Sequence, residues 1–237
     1  MKLEGAYLVT GGAGAIAKPI VAKLAAAGAK VVVVDIDKGR ADARAAEVGG
    51  LGVVADLTKA SGAAAMVVAA EAAFGPVAGL VHTTGGFAMG PLAAASDSDY
   101  DRMFDLNVRT LFYAVRAVLP AMQAHQRGFV CGFSSEPGLT GAAPNSALYG
   151  ASKSAVATLL HSLDRELSAE AGDIKVSVVY PMGAVDTPAN RRDMPNFDPS
   201  GYIDPEDIAD TIVHAAMRSG RGRLVDLAVY PRRRSAS

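Results

Sequence analysis

A doubly wound, parallel α/β sheet of three layers is the fold this sequence predicts, and three observations predict it. Strand-like and helix-like stretches alternate along the whole chain of 237 residues. The glycine-rich turn Gly11-Gly12-Ala13-Gly14 separates the apolar run Tyr7-Leu8-Val9-Thr10 from a helical period through Ile16, Ile20, Val21 and Leu24. The next strand-like run, Val31 to Val34, ends in the acidic Asp35. Alternation of this kind implies a parallel sheet with helices on both faces.

The remaining elements follow in order. A polar, alanine-rich helix is expected near Lys38 to Val48, a short strand over Gly52–Ala55 ending at Asp56, and a helix from about Thr58 to Phe74. Gly79-Leu80-Val81-His82 reads as a strand, and Asp97 to about Ala124 as a long helix with a break near Asn107. Phe129 to Phe133 is a strand, and a helix carrying Tyr149 and Lys153 comes after it. A strand over Ile174–Tyr180, a helix over Pro205–Ser219 and a strand over Leu224–Val229 complete the set. No repeat or linker divides the chain, so residues 1–237 are expected to form a single domain. The stretch Pro181 to Asp204 has no clear element, and a segment that long in a compact domain reads as a substrate lid.

Composition bounds the function. The chain is 50% hydrophobic and 20% charged with a formal net charge of -1, which gives no reason to expect a nucleic-acid or anionic-membrane partner. A single cysteine, Cys131, precludes an intramolecular disulfide and suits a reducing compartment. The opening residues lack the apolar core of a signal peptide and no run is long enough to span a bilayer, so a cytoplasmic protein is expected. His125, His161 and His214 have no ligand spacing, and no metal site is expected. His82 at a strand exit reads as a structural hydrogen-bonding group, Cys131 as a core thiol, and Arg232-Arg233-Arg234 as a solvated tail.

Two patterns carry chemistry. The strand, glycine turn, helix, strand and acidic tip form a nucleotide-binding βαβ unit. Its glycines let the backbone approach a pyrophosphate, the helix N-terminus presents its positive end, and the acid accepts ribose hydroxyls. The other pattern is Tyr149-Gly150-Ala151-Ser152-Lys153, a phenol and an ammonium on one face of a helix. A neighbouring lysine favours the phenolate, bringing the tyrosine toward the pH at which it exchanges a proton with an alcohol or ketone. Ligands of open parallel sheets bind beyond the carboxyl ends of the strands, and the two patterns meet there.

In family order the chain presents the Thr10-Gly11 turn, Asp35, Asp56-Leu57, Leu80-Val81 before Gly85, Asn107, Ser135, Tyr149 with Lys153, and Pro181 through Thr187. Over nearly its full length it resembles the single-domain branch of the short-chain dehydrogenases/reductases, with their Rossmann fold. The resemblance implies a hydride transfer between a nicotinamide cofactor and a secondary alcohol or ketone. It makes Tyr149 the general acid/base, with Lys153 lowering its pKa and holding the nicotinamide ribose. Ser135 would bind the substrate oxygen, and Asn107 would anchor a proton relay. The implied cofactor contacts are Gly11, Gly14, Ala15, Ile16, Asp35, Asp56, Leu57, Thr84, Gly85, Tyr149, Lys153, Pro181, Val185 and Thr187. Relatives commonly form homotetramers through the two long helices, so a tetramer or dimer is expected.

The chain departs from the family pattern at several places. Ala15 and Ala17 stand at two of the usual glycine positions, although the turn also reads as T-G-x-x-G-x-x-A with Gly14 central. His82-Thr83-Thr84-Gly85 replaces the usual N-N-A-G, and Met182 interrupts a proline-glycine pair. The span from Ser135 to Tyr149 is one residue longer than the commonest arrangement, which leaves Ser134 as an alternative to the preferred Ser135. Asp35, followed by Ile36, favours NAD over NADP, with Lys18 and Arg40 the residues that would meet a 2′-phosphate. The lid from Val185 to Pro195 resembles that of dihydropteridine-reductase-like members, and its Arg191 and Arg192 would meet an anionic substrate. Two other readings stand behind the oxidoreductase: a dinucleotide-binding scaffold or sensor without turnover, and, last, a nucleotide-sugar epimerase or dehydratase.

Overall fold

The computed structural model describes residues 2–141, 144–170, 172–218 and 222–232. Arg233 and Arg234 of the basic tail, and Ser219 at the expected end of the last helix, lie outside the described residues. Seven parallel strands, β1 (Ala6–Thr10), β2 (Lys30–Asp35), β3 (Leu51–Val54), β4 (Val77–His82), β5 (Arg127–Phe133), β6 (Asp173–Pro181) and β7 (Asp226–Val229), lie in the order β3-β2-β1-β4-β5-β6-β7. Helices α1 (Ala17–Ala26), α2 (Lys38–Ala46) and α3 (Ala60–Phe74) link the first four strands. Helix α4 (Asp97–Phe104) passes through a π-helical turn (Asp105–Arg109) into α5 (Thr110–Ala124). The short α6 (Glu136–Thr140), the long α7 (Ala147–Ser168), the short α8 (Pro188–Asp193) and α9 (Pro205–Met217) complete the helices.

Local chemistry places these boundaries. All five residues of β1 and four of the six in β2 are buried, as expected of central strands covered on both faces. A capping box between Ser96 and Asp99 starts α4. Thr187 and Asp204 cap α8 and α9, each with a proline in the first turn, where the missing N–H costs nothing. The segment read from sequence as a structureless lid therefore holds a helix and a 3-10 turn (Pro199–Gly201), pinned at Val185 by a bridge to Ile203.

The core lies on both sides of the sheet. On one face Ile20, Val21 and Leu24 of α1 meet Ile208 and Ile212 of α9. On the other, Met66 of α3, Leu111 and Val118 of α5, and Val156 and Leu160 of α7 fill the space. Each such side chain contributes on the order of 1.5–3 kcal/mol of burial.

Candidate active site

The first part of the site is built at the exit of β1. Gly11 has φ +63°, a left-handed conformation that glycine adopts without strain, and it turns the chain from strand to helix. Gly12 N–H donates to Val34 O at 3.1 Å and Gly14 N–H to Gly11 O at 2.9 Å, closing the turn against β2. Helix α1 then starts at Ile16 without a side-chain cap, so its first-turn N–H groups keep their capacity for an anion. Ala15 is exposed and Ala17 is fully buried under the helix, so neither methyl fills the turn.

Asp35, at the tip of β2, accepts the Ala13 N–H at 3.3 Å and the Asp37 N–H at 3.2 Å. Arg40 donates to Ala13 O at 3.1 Å, which places its guanidinium on the same turn. Asp35, Asp56, Leu57, Thr84 and Gly11 line one cleft of about 150 Å³, with Ile36 on its rim. Asp56 accepts hydrogen bonds from the Thr58 hydroxyl (2.6 Å) and N–H (2.9 Å), which hold its carboxyl below the usual range. The uncapped helix start, the open glycine turn and the acid at the cleft together suit the phosphates and ribose of a dinucleotide.

The second part gathers at the ends of β4, β5 and β6. Tyr149 and Lys153 both lie on α7, one turn apart. The Tyr149 hydroxyl is hydrogen-bonded to Ser135, and the Phe87 ring stands edge-on to the phenol with centroids 4.8 Å apart. Burial pushes the Tyr149 pKa up, opposed in part by the Ser135 hydrogen bond. The sequence pattern alone implied the opposite direction; in the folded chain desolvation of the phenol is the largest influence. Lys153 Nζ lies 5.9 Å from the phenol centroid and donates to Phe133 O at 2.9 Å. Its own pKa is pushed down by burial to about 8.

The two adjacent serines have separate partners. Ser134 is buried and donates to Lys153 O at 2.8 Å, whereas Ser135 faces Tyr149 and caps α6, accepting the Gly138 N–H at 3.2 Å.

Asn107 sits in the π-turn and is buried. Its Oδ1 accepts the Gly86 N–H at 2.9 Å, and its Nδ2 donates to Gly86 O at 3.1 Å and Ser152 Oγ at 3.0 Å. The break expected near Asn107 is this turn, which widens the helix and aims the amide between β4 and α7. Gly85 lies under the group: a Cβ there would fall 2.7 Å from Asn107 Oδ1 and 3.3 Å from Lys153 Nζ. His82 is buried and hydrogen-bonded on both ring nitrogens, in agreement with the structural role expected of it.

The lid side is internally committed. Thr187 caps α8 through its hydroxyl, and Val185 O accepts from Asn190 Nδ2 at 2.8 Å. Arg191 makes a forked ion pair with Asp186, one arm at 2.7 Å, and Arg192 pairs with Asp193, so each exposed guanidinium is held beside a carboxylate. Residues that the sequence reading passed over include Phe87 as a wall of the phenol, and Thr10, Thr110 and Ser152 as hydroxyl partners. Thr110, three residues after Asn107, was the available signal.

The sequence matches the short chain dehydrogenase family over residues 6–196. The chain belongs to that family. Among relatives of this dehydrogenase, a Xanthobacter autotrophicus protein named inactive 2-(S)-hydroxypropyl-CoM dehydrogenase 2 is 33% identical over 202 residues, covering 79% of this chain and 86% of that one. Two solved structures share the short-chain dehydrogenase fold closely. A metagenomic short-chain oxidoreductase in complex with NADP has a TM-score of 0.82 at 28% identity, covering 97% of this chain and 98% of that one. The 3-ketoacyl-(acyl-carrier-protein) reductase of Brucella melitensis, complexed with NADH, has a TM-score of 0.84 at 27% identity over the same shares. Among the described residues of this short-chain dehydrogenase no helix is long and apolar enough to cross a membrane, and no group of side chains is placed to hold a metal.

Proposed function

We propose that this protein is a cytoplasmic oxidoreductase that moves a hydride between NAD and a secondary alcohol or ketone, with Tyr149 as general acid/base. The observation that carries the reading is the convergence of Tyr149, Ser135, Lys153 and Asn107 at one sheet edge, beside the cleft that ends in Asp35. When bound, the nicotinamide supplies the hydride donor or acceptor.

The chain's residues supply the rest. Ser135 holds the substrate oxygen and stabilises the charge developing on it, and Tyr149 passes a proton to or from that oxygen. Lys153, buried and cationic below about pH 8, favours the phenolate and offers its ammonium to a ribose hydroxyl. Asn107 fixes the floor of the site and anchors the proton path. Gly11, Gly14, Ala15 and Ile16 receive the pyrophosphate, and Asp35 the adenosine ribose; Asp56, Leu57, Thr84 and Gly85 line the approach. Pro181, Val185 and Thr187 border the nicotinamide, beneath a lid spanning about 181–204.

Asp35 carries the preference for NAD, because a 2′-phosphate would face its carboxylate; Arg40, held on the same turn, is a compensating charge. Phe87, edge-on to Tyr149 and largely exposed, favours a substrate with an apolar body. Homo-oligomer formation is proposed through α5 and α7, where Phe112 is exposed and Ala155 and Leu159 are only half-buried.

A second reading has one specific support: a relative that carries the word inactive in its name. In that reading the protein binds a dinucleotide as a scaffold or sensor. A fluorescence titration with NADH and NADPH, followed by a screen of carbonyl substrates, separates the two. Saturable, NADH-preferring binding with turnover supports the enzyme. Binding without turnover on any carbonyl supports the scaffold. No binding of either nucleotide overturns both.

A further inference from the structure

His82 is a buried titratable side chain that the proposed chemistry leaves unused. It ends β4 and pairs in register with Thr10, the last residue of β1. This seam is where the winding of the sheet reverses, with β2 and β3 on one side of β1 and β4 to β7 on the other. The imidazole crosses it. Nδ1 lies 2.8 Å from Thr10 Oγ1, and Nε2 lies 3.1 Å from the hydroxyl of Thr110, which opens α5 directly after the π-turn.

The direction of every bond in this chain is fixed. Thr110 Oγ1 donates to Leu106 O at 2.7 Å, and a carbonyl only accepts. The one hydroxyl proton of Thr110 is therefore committed, so Nε2 carries the ring proton and donates to Thr110. Nδ1 is then the acceptor for the Thr10 hydroxyl. The order is Thr10 to His82 to Thr110 to Leu106, through a neutral ring whose pKa burial pushes down to about 3. Leu106 and Thr110 flank Asn107 in the sequence, and Thr10 immediately precedes Gly11 of the dinucleotide turn. Thr10 O is itself held by the Thr83 hydroxyl at 2.8 Å.

We propose that His82 is a positioning residue that sets the Asn107 turn against the dinucleotide turn across the seam of the sheet. The role of Asn107 in turnover rests on the functional reading above; the hold of His82 on Asn107 does not. A shorter polar side chain at this strand exit would not span from Thr10 to Thr110. The imidazole does, because its two nitrogens point in opposed directions, one accepting and one donating.

The test compares His82→Leu, Thr110→Val, Thr110→Ser and the His82→Leu/Thr110→Val double variant. Amide hydrogen exchange in the cofactor-free protein is read first, then kcat, KM and the NADH dissociation constant. In His82→Leu and Thr110→Val, exchange over residues 105–111 should rise about tenfold or more while β7 and α9 keep their rates. The kcat should fall about tenfold with NADH binding little changed, as misplacement of a positioned group predicts. Thr110→Ser should restore both, and the double variant should be no worse than His82→Leu, since both cut one chain. Additive losses, or exchange that rises no more in 105–111 than elsewhere, would overturn the proposal. Should His82→Leu fail to fold, the Thr110→Val and Thr110→Ser pair decides by the same readouts. Should the wild type neither bind NADH nor turn over, the functional reading fails, and the exchange rates still judge His82.

Discussion

The Ser134 hydroxyl donates to the Lys153 carbonyl at 2.8 Å in the interior, and that bond divides the work of two neighbouring serines. Ser134 ties the end of β5 to α7, while Ser135 is left facing Tyr149. Replacing Ser135 by alanine should lower kcat by about 10²-fold with the melting temperature little changed. Replacing Ser134 should instead cost about 1 kcal/mol of stability, with kcat within about threefold of wild type. Steady-state rates beside thermal melts would tell these apart; the reverse pattern would exchange the two roles.

Tyr149→Phe keeps the ring against Phe87 and removes only the hydroxyl. Turnover should drop by on the order of 10³-fold or more while NADH affinity stays within about threefold. Unaltered turnover would remove Tyr149 from the chemistry.

Asp35→Ala takes away the carboxylate that faces the cleft. NADH binding should weaken about tenfold and the preference over NADPH should narrow, as repulsion of a 2′-phosphate disappears and Arg40 remains. Titrations with the two nucleotides check this, and an unchanged ratio would place the ribose elsewhere.

Lys153 gives the cofactor-free protein a defined response to pH. Its pKa falls from 10.5 unfolded to about 8 folded, so between these values the unfolded chain binds more protons. Stability contributed by this group therefore rises as pH climbs from about 8 toward 10.5, and the burial penalty is present in full below 8. Lys153→Met should flatten that rise and leave the variant more stable than wild type at pH 7, though inactive. Urea unfolding across the range would show it; parallel wild-type and variant curves would refute the assignment.

The backbone plan was legible because apolar runs such as Val31 to Val34 are unbroken and Asp35 follows at once. Strand and helix ends moved by a few residues, as with β4 starting at Val77 instead of Gly79. The lid was harder to read: α8 starts with a threonine cap and a proline, which resemble loop composition until their hydrogen bonds are seen. Among the candidate site residues, Tyr149 and Lys153 stood out from their spacing taken together with the nucleotide-binding pattern at the N-terminus. The choice between Ser134 and Ser135 depended on which hydroxyl turns inward at the end of β5, and adjacent identical residues carry no pattern for that. The shift of Tyr149 also escaped the sequence, because spacing records the lysine neighbour and not the desolvation of the phenol.

Gly85 has a consequence for how such proteins diversify. Any side chain there would collide with the Asn107 amide and crowd the Lys153 ammonium, so the position is closed to variation. Two and four residues along the same loop, Phe87 and Met89 are 60% and 64% exposed and open to replacement. A sterically closed point and a permissive rim thus sit within a single short stretch of chain. Selection, or a mutagenesis library, acting on that rim would trade one clientele for another while inheriting the reaction intact.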